Sequence, residues 1–83
     1  MPSRAVTGIG APRPARVHSG ARGTPAAVDA MAVDCVLEEW VVEDRWWTGH
    51  PLRRRYFECV LDNGRNVVVF FDLARRRWFE QRA

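Results

Sequence analysis

The sequence lacks lysine entirely: all thirteen basic residues among its 83 are arginine. Codon bias in a GC-rich genome explains this most simply. The alternative is selection for bidentate contacts to phosphate or carboxylate, which arginine makes better than lysine. The net charge is +3 and the pI is about 9.7. Such a balance permits a nucleic-acid or acidic protein partner but does not require one.

Residues that bind metals or form disulfides are scarce. The two cysteines, Cys35 and Cys59, and the two histidines, His18 and His50, show none of the close C-x-x-C or H-x₃-H spacing of zinc sites. We therefore expect no metal site and no disulfide, with both cysteines as small buried hydrophobes in a reduced, cytoplasmic compartment. Residues 1–14 contain no apolar run of seven, so we expect no signal peptide, and no segment is apolar enough to span a membrane.

Residues that would support catalysis are also few. Serine occurs only at Ser3 and Ser19, both in predicted coil, and no Ser-His-Asp arrangement suggests itself. The pair Gly8 and Gly10 does not follow a strand, so it forms no phosphate-binding loop. His50 precedes a proline in a predicted loop and shows no partner for acid–base work. We predict that the protein is not an enzyme and uses no cofactor.

Aromatic residues, by contrast, are plentiful and confined to one part of the chain. A domain of this size buries only about 60% of its extended-chain surface, so its core must be dense. Residues 1–14 are rich in glycine, proline and alanine, and we predict a disordered tail there, followed by one folded domain over residues 15–83. All nine aromatic residues lie beyond residue 39: Trp40, Trp46, Trp47, Tyr56, Phe57, Phe70, Phe71, Trp78 and Phe79.

The clearest structural signal is a β-hairpin over residues 53–71. Asn63-Gly64 between two strand-like runs indicates a two-residue type I′ turn, because both residues tolerate positive φ. That turn fixes a pairing in which charge pairs have opposite sign and apolar pairs coincide. The predicted pairs include Tyr56 with Phe71, Phe57 with Phe70, Val60 with Val67 and Arg55 with Asp72.

The remaining elements indicate an all-β fold. Residues 32–47 fit a helical period, but their alternation, with a phase change at Glu38-Glu39, favours a bent strand. Short strands are predicted over 15–18, 26–29 and 77–81, with the last turn at 73–76. We predict a small five- to six-stranded SH3-like or partly open barrel built on the central hairpin.

Five motifs from residue 46 onward resemble those of a known family. They are Trp46-Trp47, Arg54-Arg55-Tyr56-Phe57, Asp62-Asn63-Gly64-Arg65, Phe70-Phe71-Asp72-Leu73 and Arg77-Trp78-Phe79. Together they resemble a small uncharacterised all-β domain common in actinobacteria, which is also similar to a segment appended to Y-family polymerase-like proteins of translesion mutagenesis. The resemblance implies an association with DNA-damage tolerance and no particular mechanism.

The sequence departs from that family's pattern at three places. Phe71 stands where the family usually has arginine, Ala30 stands where glycine is expected after Asp29, and residues 74–76 replace a glycine-containing turn. A basic role at position 71 is therefore absent from this chain.

We predict a non-enzymatic interaction or adaptor module that binds a protein partner, either polymerase-associated or a second copy of this chain. Adjacent aromatic residues on a strand point to opposite faces, so they imply either two packed layers or an exposed patch. The alternative is single-stranded nucleic-acid binding through an arginine rim. The candidate residues are Trp46, Trp47, Arg53, Arg54, Arg55, Tyr56, Phe71, Arg75, Arg76 and Arg77.

Overall fold

The computed structural model describes residues 11–44 and 52–81, and these form one antiparallel sheet of seven strands that curls into an open half-barrel. The predicted all-β class is confirmed, with one more strand than the upper limit of the prediction. The strands are β1 (Arg13–Pro14), β2 (Val17–Ser19), β3 (Pro25–Val28), β4 (Met31–Asp44), β5 (Leu52–Leu61), β6 (Asn66–Asp72) and β7 (Arg77–Gln81). Their order across the sheet is β1-β7-β6-β5-β4-β3-β2.

The two ends of the sheet meet at a seam between β1 and β2. These strands lie at opposite edges, yet only Ala15 and Arg16 separate them in the chain. Because the three steps from Pro14 to Val17 span at most about 11 Å, the sheet must curl until its edges are close. The Ala15 N–H donates to the Trp78 carbonyl (3.1 Å), and the Asp29 N–H donates to the Arg16 carbonyl (2.7 Å).

Arg13 fixes this seam with its side chain. Its guanidinium lies 2.8 Å from an Asp29 carboxylate oxygen and 2.6 Å from one of Glu80. Arg13 and Pro14, at the end of the predicted tail of residues 1–14, pair with β7. The rest of the predicted tail, residues 1–10, lies outside the described residues.

Residues 32–44, for which both helix and strand fit the sequence, form strand in β4. Its pairing with β5 shifts between Val33 and Cys35 and again between Val36 and Glu38. Such β-bulges bend a strand and increase its twist. The second bulge lies next to the predicted phase change at Glu38-Glu39.

The turn between β5 and β6 differs from the predicted type I′ turn. Gly64 has a φ of +87°, but Asn63 is not in the left-handed region. The Leu61 N–H donates to the Arg65 carbonyl (2.9 Å) and the Gly64 N–H to the Leu61 carbonyl (2.8 Å). The loop therefore contains three residues, the arrangement in which a single glycine takes the left-handed position.

This extra loop residue slips the whole hairpin by one position from the predicted pairing. Every predicted partner is displaced, because a two-residue loop and a three-residue loop define different registers. The predicted pairs Tyr56–Phe71, Phe57–Phe70, Val60–Val67 and Arg55–Asp72 are wrong. The observed pairs include Tyr56–Phe70, Phe57–Val69, Cys59–Val67, Arg54–Asp72 and Arg55–Phe71.

The sheet buries apolar side chains on both faces. The inner cluster comprises Val28, Phe57, Cys59, Leu61, Val67 and Val69, with Val17, Met31, Val33 and Trp78 against it. The outer cluster comprises Tyr56, Phe70 and Phe79, with Trp40, Val42 and Val68 against it. Neighbours such as Tyr56 and Phe57 thus belong to different clusters, which supports two packed layers over a single exposed patch.

The cysteines differ in their surroundings. Cys59 is fully buried in the inner cluster, but Cys35 is exposed, so the prediction that both are buried is wrong for Cys35. Cys35 lies in the bulged part of β4, where the strand's alternation is interrupted. Among residues 11–44 and 52–81, no group of three or more potential metal ligands comes together. Nor does any helix in those ranges have the length and apolar character needed to cross a membrane.

Candidate functional site

The arginines of β5 alternate between the two faces and each is opposed by an acid. Arg53 Nε lies 2.8 Å from Glu43, and Arg55 Nη2 lies 2.6 Å from Glu39. Arg54 is paired with Asp72 of the neighbouring strand β6, and its Nε lies 3.9 Å from the Asp72 carboxylate. Residues 53–55 therefore form no continuous rim of unopposed positive charge.

A row of four aromatic rings crosses the outer face, one ring from each of strands β4 to β7. Trp40 stacks on Tyr56 with centroids 5.4 Å apart, Tyr56 lies 4.9 Å from Phe70, and Phe70 lies 5.3 Å from Phe79. Each ring occupies the position opposite its neighbour in the sheet. Tyr56 and Phe70 are each 1% exposed, so this row is core and presents no stacking platform to a ligand.

Phe71 belongs to the opposite, inner face. Its ring lies 5.2 Å from that of Trp78, which in turn lies 5.7 Å from Phe57. The Arg55 guanidinium covers Phe57 at 5.1 Å. Phe71 is half-buried within this packing. Phe71 and Arg55 thus lie on the inner face, whereas Arg54 and Tyr56, which are also predicted interaction residues, lie on the outer face.

Asp72 organises the turn that carries the second group of arginines. Its Oδ1 accepts hydrogen bonds from the backbone N–H groups of Ala74 and Arg75, both at 3.0 Å, and its carbonyl accepts one from Arg76 (2.6 Å). Asp72 is 6% exposed and is the buried charged residue of the described part. The side chains of Arg75, Arg76 and Arg77 are exposed. None of the ion pairs between described residues includes them.

Strand β4 has an open edge, which we define as the side of residues 33–44 that faces away from β5. On that side β3 pairs only with Met31 and Ala32. Pro25 has no backbone N–H to offer, and a bulge at residues 33–35, a feature that bends strands, follows directly after the residues that pair with β3. No described strand pairs with β4 beyond Ala32 on this side.

Among residues 11–44 and 52–81, the exposed large apolar side chains all lie in this same stretch. Leu37 and Val41 are each 54% exposed, and Val36 is 36% exposed. An unsheltered strand edge with apolar side chains is a template for pairing with another chain. The local sequence pattern does not identify Leu37 and Val41 as exposed. Their exposure depends on the bulges, which periodicity alone does not locate.

Hollows lie along the margins of the sheet, and two of them are next to predicted or seam residues. One, of about 520 Å³, lies at the seam against Asp29 and Arg16. Both Asp29 carboxylate oxygens are already engaged, by the Arg16 N–H at 2.9 Å and by Arg13. The other, of about 240 Å³, lies on the outer face beside Arg54 and Arg75.

The predicted site residues are thus distributed over several places. Trp46 and Trp47 lie outside the described residues. Arg54 and Arg75 come together at the outer hollow, and no local pattern predicts this because the residues that line the hollow are distant in sequence. Comparison with family models, with curated proteins and with solved structures finds no match.

Proposed function

We propose that this protein is a non-enzymatic interaction module that takes an extended segment of a partner protein onto the open edge of β4. The observation that carries the proposal is the edge itself, since β3 pairs only with Met31 and Ala32 of this 14-residue strand. An added strand would supply main-chain hydrogen bonds along residues 33–44. Its side chains would cover Leu37 and Val41, which are exposed in the isolated chain.

The charge of β4 identifies the chemistry of the partner. The strand contains five acids and no basic residue: Asp34, Glu38, Glu39, Glu43 and Asp44. Arg55 and Arg53 of β5 already pair with Glu39 and Glu43, so those two carboxylates add less negative charge to the edge than the count suggests. Like charges directly opposite one another destabilise a sheet, and opposite charges contribute about 0.2–1 kcal/mol per pair. A second copy of β4 would bring acids toward acids. An extended segment that alternates apolar and basic residues complements this edge better.

The test is fluorescence anisotropy with a labelled peptide of alternating valine and arginine, as long as the open edge. The substitution Val41→Lys should weaken binding by about fivefold, corresponding to the loss of about 1 kcal/mol from one cross-strand contact. Ala74→Lys is the matched control. It adds the same positive charge at an exposed position in the β6–β7 turn, away from the open edge. It should leave affinity nearly unchanged.

Two results would contradict the proposal. One is equal binding of a peptide in which glutamate replaces arginine, because charge complementarity would then play no part. The other is concentration-dependent dimerisation by light scattering that Val41→Lys abolishes, without binding of the basic peptide. That result would make the open edge a self-association surface.

Single-stranded nucleic-acid binding is a second candidate, favoured by the exposed run Arg75, Arg76 and Arg77, which lacks ion pairs with the described residues. Three phosphate contacts would give a salt slope of about −2 on a single strand. Anisotropy of a labelled oligonucleotide across a salt series tests this. Salt-insensitive or absent binding at low salt would reject it.

A further inference from the structure

The 240 Å³ hollow on the outer face has two guanidinium groups among its walls. It lies where β5, β6 and β7 meet the chain just before β1. Its lining residues are Pro12, Arg54, Phe70, Asp72, Arg75 and Phe79. None of them belongs to the open edge of β4, so this hollow is independent of the proposed function.

Arg54 is held in place by contacts that leave part of its hydrogen-bonding capacity unused. Its guanidinium carbon lies 4.5 Å from the Phe70 ring centroid, and its Nη1 donates to the Tyr56 hydroxyl at 3.2 Å. Its Nε is buried and has no hydrogen-bond partner. The nearest Asp72 carboxylate oxygen, at 3.9 Å, is beyond hydrogen-bond distance.

Asp72 does not neutralise both arginines. Its Oδ1 is committed to two backbone N–H groups of the β6–β7 turn. Arg75 has its guanidinium 6.0 Å from the Phe79 ring centroid and forms no ion pair with any described residue. Two guanidinium groups and one carboxylate give the hollow a surplus of positive charge above a floor of aromatic rings.

We propose that this hollow binds an oxyanion, a carboxylate or a phosphate group, between Arg54 and Arg75. A planar guanidinium that rests on a ring face keeps its N–H edges available, and these match the two oxygens of a carboxylate or phosphate. Pro12, Phe70 and Phe79 surround the group with apolar surface and so reduce its competition with water.

The test follows the arginine Nε–H resonances by ¹H–¹⁵N NMR while acetate or inorganic phosphate is added at constant ionic strength. The Arg54 and Arg75 signals should shift in a saturable way, with a dissociation constant on the order of 1–10 mM. Acetate and phosphate arms distinguish a carboxylate site from a phosphate site, and saturation by either supports the proposal.

Three variants sharpen the experiment. Arg75→Gln, at an exposed position, should weaken binding at least severalfold, whereas Arg53→Gln removes an equal charge from the other face and should not. Asp72→Asn keeps an oxygen for the turn but removes the competing negative charge, so it should tighten binding. Shifts that do not saturate, or that are equal for Arg53 and Arg54, would overturn the proposal.

Discussion

The buried thiol of Cys59 makes the stability of the fold depend on pH. Burial in the inner cluster raises the pKa of its thiol to about 11, with smaller contributions from Cys35 and Glu58. Cys59 has no exposed surface. The folded chain therefore favours the neutral thiol over the thiolate more strongly than the unfolded chain does.

This shift predicts a loss of stability in alkali. The unfolded thiol ionises near pH 8.5–9, whereas the folded thiol stays protonated up to about pH 11. The stabilisation from the neutral Cys59 thiol is thus complete below the pKa of the thiol in the unfolded chain. It disappears as the pH rises through the pKa of the thiol in the folded chain. Urea unfolding under reducing conditions should show the free energy of unfolding falling by about 2–3 kcal/mol across that interval.

Substitutions at the two cysteines separate this effect from other alkaline titrations. Cys59→Ala should flatten the alkaline decline while lowering stability at neutral pH, because it removes buried volume. Cys35→Ser, at the exposed position, should leave most of the decline intact, because burial of Cys59 contributes more to its raised pKa than Cys35 does. An unchanged pH profile in Cys59→Ala would show that another group is responsible.

At the scale of elements, the turns show where sequence patterns succeed and where they fail. The strand–turn–strand order of residues 53–81 is predictable, since alternation and turn residues are local signals. The register is not, because Asn63-Gly64 fits both a two-residue and a three-residue loop. The type I′ turn instead joins β3 to β4, where Asp29 and Ala30 have φ values of 49° and 71°.

The conformation of Ala30 predicts a stabilising substitution. A non-glycine residue in the left-handed region costs about 1–2 kcal/mol, whereas glycine adopts it without that penalty. Glycine loses more conformational entropy on folding, so Ala30→Gly should raise the free energy of unfolding by about 0.5–1 kcal/mol. Urea denaturation measures the change.

Ala74→Gly provides the comparison for that substitution. Ala74 lies in the β6–β7 turn and is not among the residues with positive φ. Glycine there brings the entropic cost without relief of strain, so stability should fall slightly. If both substitutions change stability in the same direction, the left-handed backbone at Ala30 is not the cause.

The candidate sites are predictable only in part, because they depend on how the strands are placed relative to one another. Alternation correctly places Arg53 and Arg55 on one face and Arg54 on the other. The open edge of β4 depends on two bulges and on the divergence of β3, and the outer hollow depends on the position of Pro12. These relations join residues that are distant in sequence, so no local pattern reports them.

For the whole molecule, closure of the sheet depends on contacts with long sequence separation. A two-residue strand, β1, adds to β7 and places Arg13 opposite Glu80, 67 positions away. The acid that completes the seam, Asp29, comes from the β3–β4 turn. No periodicity exists in so short a strand, so no local pattern separates Arg13 and Pro14 from the predicted tail.

Asp29 provides the test of this seam. The Arg16 backbone N–H and then the Arg13 side chain lower the pKa of its carboxyl. Asp29→Ala should reduce the free energy of unfolding by about 1 kcal/mol through the lost hydrogen bond, and the partial exposure of Asp29 limits any further ionic contribution. Asp29→Asn keeps an acceptor oxygen and tolerates positive φ, so it should lose less.

The dependence of stability on acid pH distinguishes the hydrogen-bond contribution of the Asp29 side chain from its ionic contribution. The ionic contribution of Asp29 is present above its unfolded pKa of about 3.9 and is lost as the pH falls through its lowered folded pKa. Asp29→Asn should therefore remove part of the acid-induced decline in urea unfolding below about pH 4. Hydrogen exchange at the Ala15 and Asp29 amides should be faster in Asp29→Ala than in Ala74→Gly, since only the former lies at the seam. Equal exchange in the two variants would mean that the seam does not hold the edges of the sheet together.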